Sequence, residues 1–204
     1  SAQFIVDVPY PPVAPVLSAP TNGTITCNAL PTFDWEDVAG ATGYRLEVAD
    51  NIDFNNAVIN TTTAGSQYTP VSALVNGTYY WRVRSTYLCG EGPWTAAVWS
   101  VTIIDTPATP ALSSPPDNEL TCDDTPAFDW SDVTMATSYN LQVDDNANFS
   151  SPVINANPTE STHTPGTPLA LGSYYWQVRA ANQCGGSAYT SSWRLTIITT
   201  PSTP

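Results

Sequence analysis

Apolar and polar residues alternate at period two in short runs along the chain. Phe33 and Trp35 flank Asp34. Tyr44, Leu46 and Val48 share one side of a run whose other side carries Arg45 and Glu47. Tyr79, Trp81, Val83 and Ser85 alternate with Tyr80, Arg82 and Arg84, and Trp99, Val101 and Ile103 close the set. Period two places one side of a strand in a core and the other towards solvent. Clusters of Pro, Gly, Asn and Thr separate the runs, and no segment shows the spacing of an amphipathic helix. The expectation is an all-β protein, an antiparallel sandwich of short strands.

The pattern then repeats. PTFDWEDVAGATGYRLEV returns as PAFDWSDVTMATSYNLQV, and NGTYYWRVRSTYLCG returns as LGSYYWQVRAANQCG. The offset is 95 residues for Trp35/Trp130, Trp81/Trp176, Cys27/Cys122 and Cys89/Cys184, and slips by one at Trp99/Trp193. Self-similarity at this period indicates two equivalent units, expected over 11–106 and 107–200. FIVDV (Phe4, Ile5, Val6, Asp7, Val8) aligns with WSVTI at 99–103, so residues 1–10 occupy the place of the last strand of a preceding domain. The end of the chain, 201–204, aligns with the linker that follows the first unit. Three readings stand open. The chain is a window of a longer tandem array; or it is a whole protomer whose FIVDV strand adds to a neighbouring copy; or the leader is disordered.

At these residues the units resemble fibronectin type III domains, particularly those of microbial extracellular proteins. The resemblance rests on a Trp in the second strand (Trp35, Trp130) and a Tyr opening the third (Tyr44, Tyr139). A Leu-x-x-Gly-x-Tyr entry to the sixth strand completes it (Leu74, Gly77, Tyr79; Leu169, Gly172, Tyr174). It covers roughly residues 13–200. It implies two tandem fibronectin type III-like antiparallel sandwiches with an extra N-terminal strand, and the four cysteines depart from the usual pattern. It also implies that Cys27 and Cys89 lie at opposite poles of one sandwich. In a head-to-tail pair Cys27 would then meet Cys184, leaving Cys89 and Cys122 to face the preceding and following units. The alternative is two intradomain bonds, Cys27–Cys89 and Cys122–Cys184.

Charge narrows the partners. The chain has 18 acidic residues against five Arg, with no Lys, for a net charge of −13. Such a surface repels nucleic acid and anionic lipid, so neither is expected as a partner. No apolar window is long enough to span a membrane. Four cysteines in an acidic, Thr-rich chain point to an oxidising, extracellular location. Their spacing lacks the close pairs of a zinc site.

Other chemistry is sparse. Asp50, Asp53 and Asn55, and their counterparts Asp144, Asp145 and Asn146, offer oxygen ligands to calcium, as do Asp123 and Asp124. These segments lack the Gly and Glu of the familiar calcium loop, and Asp and Asn suit a turn equally well. No other cofactor is expected. His163 is the single histidine and no Gly-x-Ser-x-Gly occurs, so no enzymatic activity is expected. Tyr80, Tyr87, Trp94, Tyr175 and Tyr189 fall outside the core alternation and are candidates for stacking on glycans or on a partner. Asn22, Asn60, Asn76 and Asn148 sit in glycosylation sequons, at a frequency no higher than chance. The function expected is structural: a repeating unit of a surface fibre, stalk or adhesive filament, its partners further copies or repeats joined head to tail. The alternative is a glycan-binding or spacer module of a secreted enzyme or adhesin.

Overall fold

A computed structural model of the chain describes residues 13–199. The FIVDV segment and residues 201–204 lie outside the described residues. The chain divides into two compact units, 1–105 and 106–204, each taken by itself below.

The first unit contains β1 (Leu17–Ala19), β2 (Thr24–Thr26), β3 (Phe33–Trp35), β4 (Gly43–Ala49), β5 (Ile59–Thr63), β6 (Gln67–Tyr68), β7 (Gly77–Tyr87), β8 (Gly90–Trp94) and β9 (Trp99–Ile103). One sheet has the order β1-β3-β6 and the other β2-β9-β7-β4-β5, with β8 hairpinned onto β7. The second unit repeats this with β10 (Leu112–Ser114), β11 (Glu119–Thr121), β12 (Phe128–Trp130), β13 (Ser138–Asp144), β14 (Ile154–Ala156), β15 (Thr162–His163), β16 (Gly172–Asn182), β17 (Gly185–Gly186) and β18 (Trp193–Ile197). Its sheets run β10-β12-β15 and β11-β18-β16-β13-β14. No helix occurs among the described residues.

The alternating positions form the cores. Phe33, Trp35, Tyr44, Leu46, Val48, Tyr79, Trp81, Val83, Val101 and Ile103 make one cluster with Leu17. Phe128, Trp130, Tyr139, Leu141, Val143, Tyr174, Trp176, Val178, Ala180, Leu195 and Ile197 make the other. In each, edge-on aromatic pairs bridge the sheets: Phe33–Trp81 and Phe128–Trp176 both have centroids 5.2 Å apart. Two tyrosine hydroxyls tie loops to this frame. That of Tyr44 accepts the Val38 N–H at 2.8 Å and that of Tyr79 donates to the Val75 carbonyl at 3.0 Å. Tyr139 and Tyr174 do the same for Val133 and Ala170.

The first strand of each unit differs from a simple antiparallel expectation. It splits, with β1 in one sheet and β2 in the other, where it pairs parallel with β9. The break falls at Pro20-Thr-Asn-Gly23. Proline has no N–H for a ladder, and Gly23 adopts φ +79°. The units also differ at β5. A side chain at Gly43 would meet the Thr63 carbonyl oxygen at 2.8 Å, and this close approach lets β5 run on to Thr63. The counterpart of Thr63 is Pro158, and β14 stops at Ala156.

Candidate functional site

The densest polar chemistry lies on the outward face of β4, β7 and β8. Strand register sets Glu47 opposite Arg82. Glu47 is only 8% exposed, so its charge must be met locally. Arg82 donates to its carboxylate through Nε at 3.0 Å and Nη2 at 2.7 Å, and Asn60 Nδ2 donates at 3.2 Å. The Arg82 guanidinium also lies over the rings of Phe54 and Trp94, at 4.0 and 4.3 Å. Arg84 covers Trp94 at 4.5 Å and pairs with Glu91. The result is a ladder of alternating cations, carboxylates and rings across three strands.

The second unit holds the same positions with almost no charge. Gln142 and Gln177 replace Glu47 and Arg82, and Gln177 Nε2 donates to Gln142 Oε1 at 2.8 Å. Arg179 lies over Tyr189 at 4.8 Å, and the Tyr189 hydroxyl donates to Asn140. Both faces work as cross-strand clasps. Alternation assigns Glu47, Arg82 and Arg84 only to the outward face. Their pairing was visible in principle, since opposite charges stood at facing positions of neighbouring strands.

These contacts decide how the aromatic candidates present themselves. Trp94 and Tyr189 are half-buried under guanidinium groups. The Tyr87 hydroxyl accepts from Ser85 Oγ at 3.1 Å. Tyr80 and Tyr175 are half-buried on their strands, and the structure does not gather the five rings into one platform.

Among the described residues, no group of three His, Cys, Asp or Glu side chains is placed to hold a metal ion. The acidic segments instead close turns. Asp123 Oδ1 accepts the Thr125 N–H at 2.9 Å, while Asp124 and Asp145 are exposed. Asp144 is fully buried, and its carboxylate accepts the N–H groups of Asn146 at 3.0 Å and Ser151 at 3.1 Å. In the first unit its place is taken by Ala49, and Asn51 closes the loop by accepting the Asn55 N–H at 3.0 Å. Asp50 precedes that turn and Asp53 lies within it, and Asp53 and Asn55 are exposed.

Burial alone would raise the Asp144 carboxyl, but hydrogen bonds from the Asn146 and Ser151 backbones, together with side-chain hydrogen bonding at Asp145 and Asn146, outweigh it and hold the group below the usual carboxylate range. A group whose folded pKa is depressed stabilises fully above its unfolded value, near 4, and loses that contribution as pH falls through the folded value. The melting temperature of Asp144→Ala should therefore fall below that of the parent at pH 7, and the gap should narrow towards pH 3. Thermal unfolding at the two pH values checks this.

The sequons divide by what their amide nitrogens do. Asn60 Nδ2 is spent on Glu47 and Asn76 Nδ2 on Asp105, at 3.1 Å. Asn22 and Asn148 are exposed and use their side-chain oxygens, towards Ser100 and Ser150 respectively.

The cysteines are not alike. Cys27, after β2, and Cys184, in the β16–β17 turn, are disulfide-bonded. Cys89, in the β7–β8 turn, and Cys122, after β11, are free and exposed. Neither the Cys27–Cys89 nor the Cys122–Cys184 intradomain bond is therefore formed.

No family model matches the chain, and no curated protein matches it. Among solved structures, the chain is similar to the crystal structure of the FN1–FN3 domains of chicken CNTN1. Identity is 15% and the TM-score 0.44, with 92% of this chain and 67% of that one covered. The strand orders, paired sheets and two separate cores described above are those of two tandem fibronectin type III-like sandwiches.

Proposed function

We propose that this chain is an extracellular structural protein, a unit of a surface fibre, stalk or adhesive filament joined end to end. The observation that carries this reading is the state of the cysteines. One cysteine in each unit is disulfide-bonded while its own-unit companion is free. That state supports the head-to-tail pairing that the sequence allows, Cys27 with Cys184. Such a bond restricts the unfolded chain and stabilises by about 2–4 kcal/mol. It also suits an oxidising, extracellular location.

The segment Phe4–Val8 supplies the second joint in this reading. Its alternation matches β9, and backbone hydrogen bonds along an open edge join chains without any special side chain. In each unit the edge strands β5 and β14 border a shallow apolar groove, of about 460 Å³ beside Val58, Val71 and Val75 and about 400 Å³ beside Val153 and His163. Light scattering on the purified chain under reducing conditions tests the joint. Mass should rise with concentration, and deletion of residues 1–10 should abolish the rise. A monomer at every concentration for both chains would reject the reading.

A further inference from the structure

We propose that Asp144 is an acid-released latch of the second unit: its carboxylate holds the β13–β14 loop and the edge strand β14 in place, and a proton lets them go.

The edge strand needs such a hold. β14 is three residues long, Ile154–Ala156, and ends its sheet with β13 beside it. So short a ladder on an open edge is a weak tether and belongs to the part of a fold that opens first. Its counterpart β5 runs five residues, Ile59–Thr63. Asp144 ends β13, and its Oδ2 accepts the Ser151 N–H at 3.1 Å, just ahead of β14. That bond spans seven residues and closes the loop. Oδ1 accepts the Asn146 N–H at 3.0 Å, within the turn.

The carboxylate is fully buried, so both oxygens depend on these donors rather than on water. A proton changes this directly. It converts one charge-assisted acceptor into a neutral hydroxyl whose hydrogen competes with the incoming N–H, and it takes the charge from the other. The Asn146 bond joins near neighbours. The Ser151 bond holds a longer loop, which gains more freedom when released, and it is the one that gives way. Release uncovers the backbone edge of Leu141–Val143, which β14 now pairs.

The surroundings fix when this happens. Tyr175 stands opposite Asp144 on β16, and Arg194, next to Tyr175 on β18, is turned to Ser173 Oγ at 3.2 Å. β14 carries no ionisable residue. Asp145, on the loop itself, accepts from Asn146 Nδ2. Hydrogen bonds thus keep Asp144 charged below the usual carboxylate range. The latch is closed at neutral pH and opens as pH falls below about 4.

The first unit lacks the device. Ala49 takes the place of Asp144, and Asn51 closes the loop through an amide, which does not titrate there. It accepts the Asn55 N–H at 3.0 Å and donates to the Asn55 carbonyl at 2.7 Å. Asp50 accepts from the adjacent Asn51 Nδ2 at 2.9 Å, a contact within the turn that does not reach β5. One of two matching loops therefore answers to acid.

Hydrogen exchange of the full chain tests this, read on peptides by mass spectrometry and corrected for the intrinsic rate at each pH. From pH 6 to pH 3 the protection of residues 145–156 should fall by about ten- to a hundredfold, the factor that one hydrogen bond to a charged group is worth. Residues 50–63 and the amides of β16 should keep theirs. Asp144→Asn should show the acid pattern already at pH 6, with little further change at pH 3. If that variant does not fold, the parent's own response decides the matter. Equal losses in the two loops, an unchanged 145–156 segment, or an Asp144→Asn chain that responds to acid as the parent does would each overturn the latch. Loss of protection throughout β16 at the same pH would overturn it too, because the unit would then be unfolding as a whole.

Discussion

Replacing Trp176 with alanine should lower the stability of the second unit by about 3–5 kcal/mol, the cost of removing a large aromatic ring from a closed core. Trp176 has no exposed surface. It meets Phe128 of the other sheet edge-on at 5.2 Å and Trp193 of the neighbouring strand at 5.9 Å. Two aromatic rings therefore lose their common partner, and the surrounding strands are hydrogen-bonded too tightly to collapse into the space. In a domain of this size such a loss corresponds to roughly 15–30 °C in melting temperature. The first unit has its own core around Trp81 and should keep its transition. Calorimetry with reductant present, so that no disulfide couples the units, should show one transition displaced and the other unmoved. Two transitions falling together would contradict separate cores.

Glu47→Ala should cost about 2–3 kcal/mol in the first unit. Removing one member of a buried ion pair strands the other charge, which costs about 3–5 kcal/mol when burial is complete. Here the Arg82 side chain is 27% exposed, so water recovers part of the loss. The second unit shows a neutral solution to the same packing problem, the Gln142–Gln177 pair. The double variant Glu47→Gln/Arg82→Gln should therefore recover more than half of the loss. It gives up the stacking of Arg82 on Phe54 and Trp94 but strands no charge. Urea unfolding compares the three chains. A double variant as unstable as Glu47→Ala would show that the rings, not the ion pair, hold the clasp.

The core was legible in the sequence because burial in a sandwich follows side-chain alternation. Tyr44, Leu46 and Val48, then Tyr79, Trp81 and Val83, read directly as one face, and the 95-residue repeat confirmed the pattern in the second unit. The path of the first strand was not legible, because a Pro-Thr-Asn-Gly break does not say which sheet the chain rejoins. Asp144 escaped for a related reason. An aspartate at the end of a strand reads as an exposed turn residue, and only the fold shows it turned inwards onto two backbone N–H groups. The ring of Trp94 read as an outward platform. Alternation gives the face of a strand, not the guanidinium groups that cover it from Arg82 and Arg84 on the adjacent strand.

Electron microscopy of the chain tests the central claim, end-to-end assembly, most directly. Unbranched filaments are expected, which disperse into single chains when reductant is added and residues 1–10 are deleted. Dispersed single chains at every concentration, with residues 1–10 intact, would contradict it.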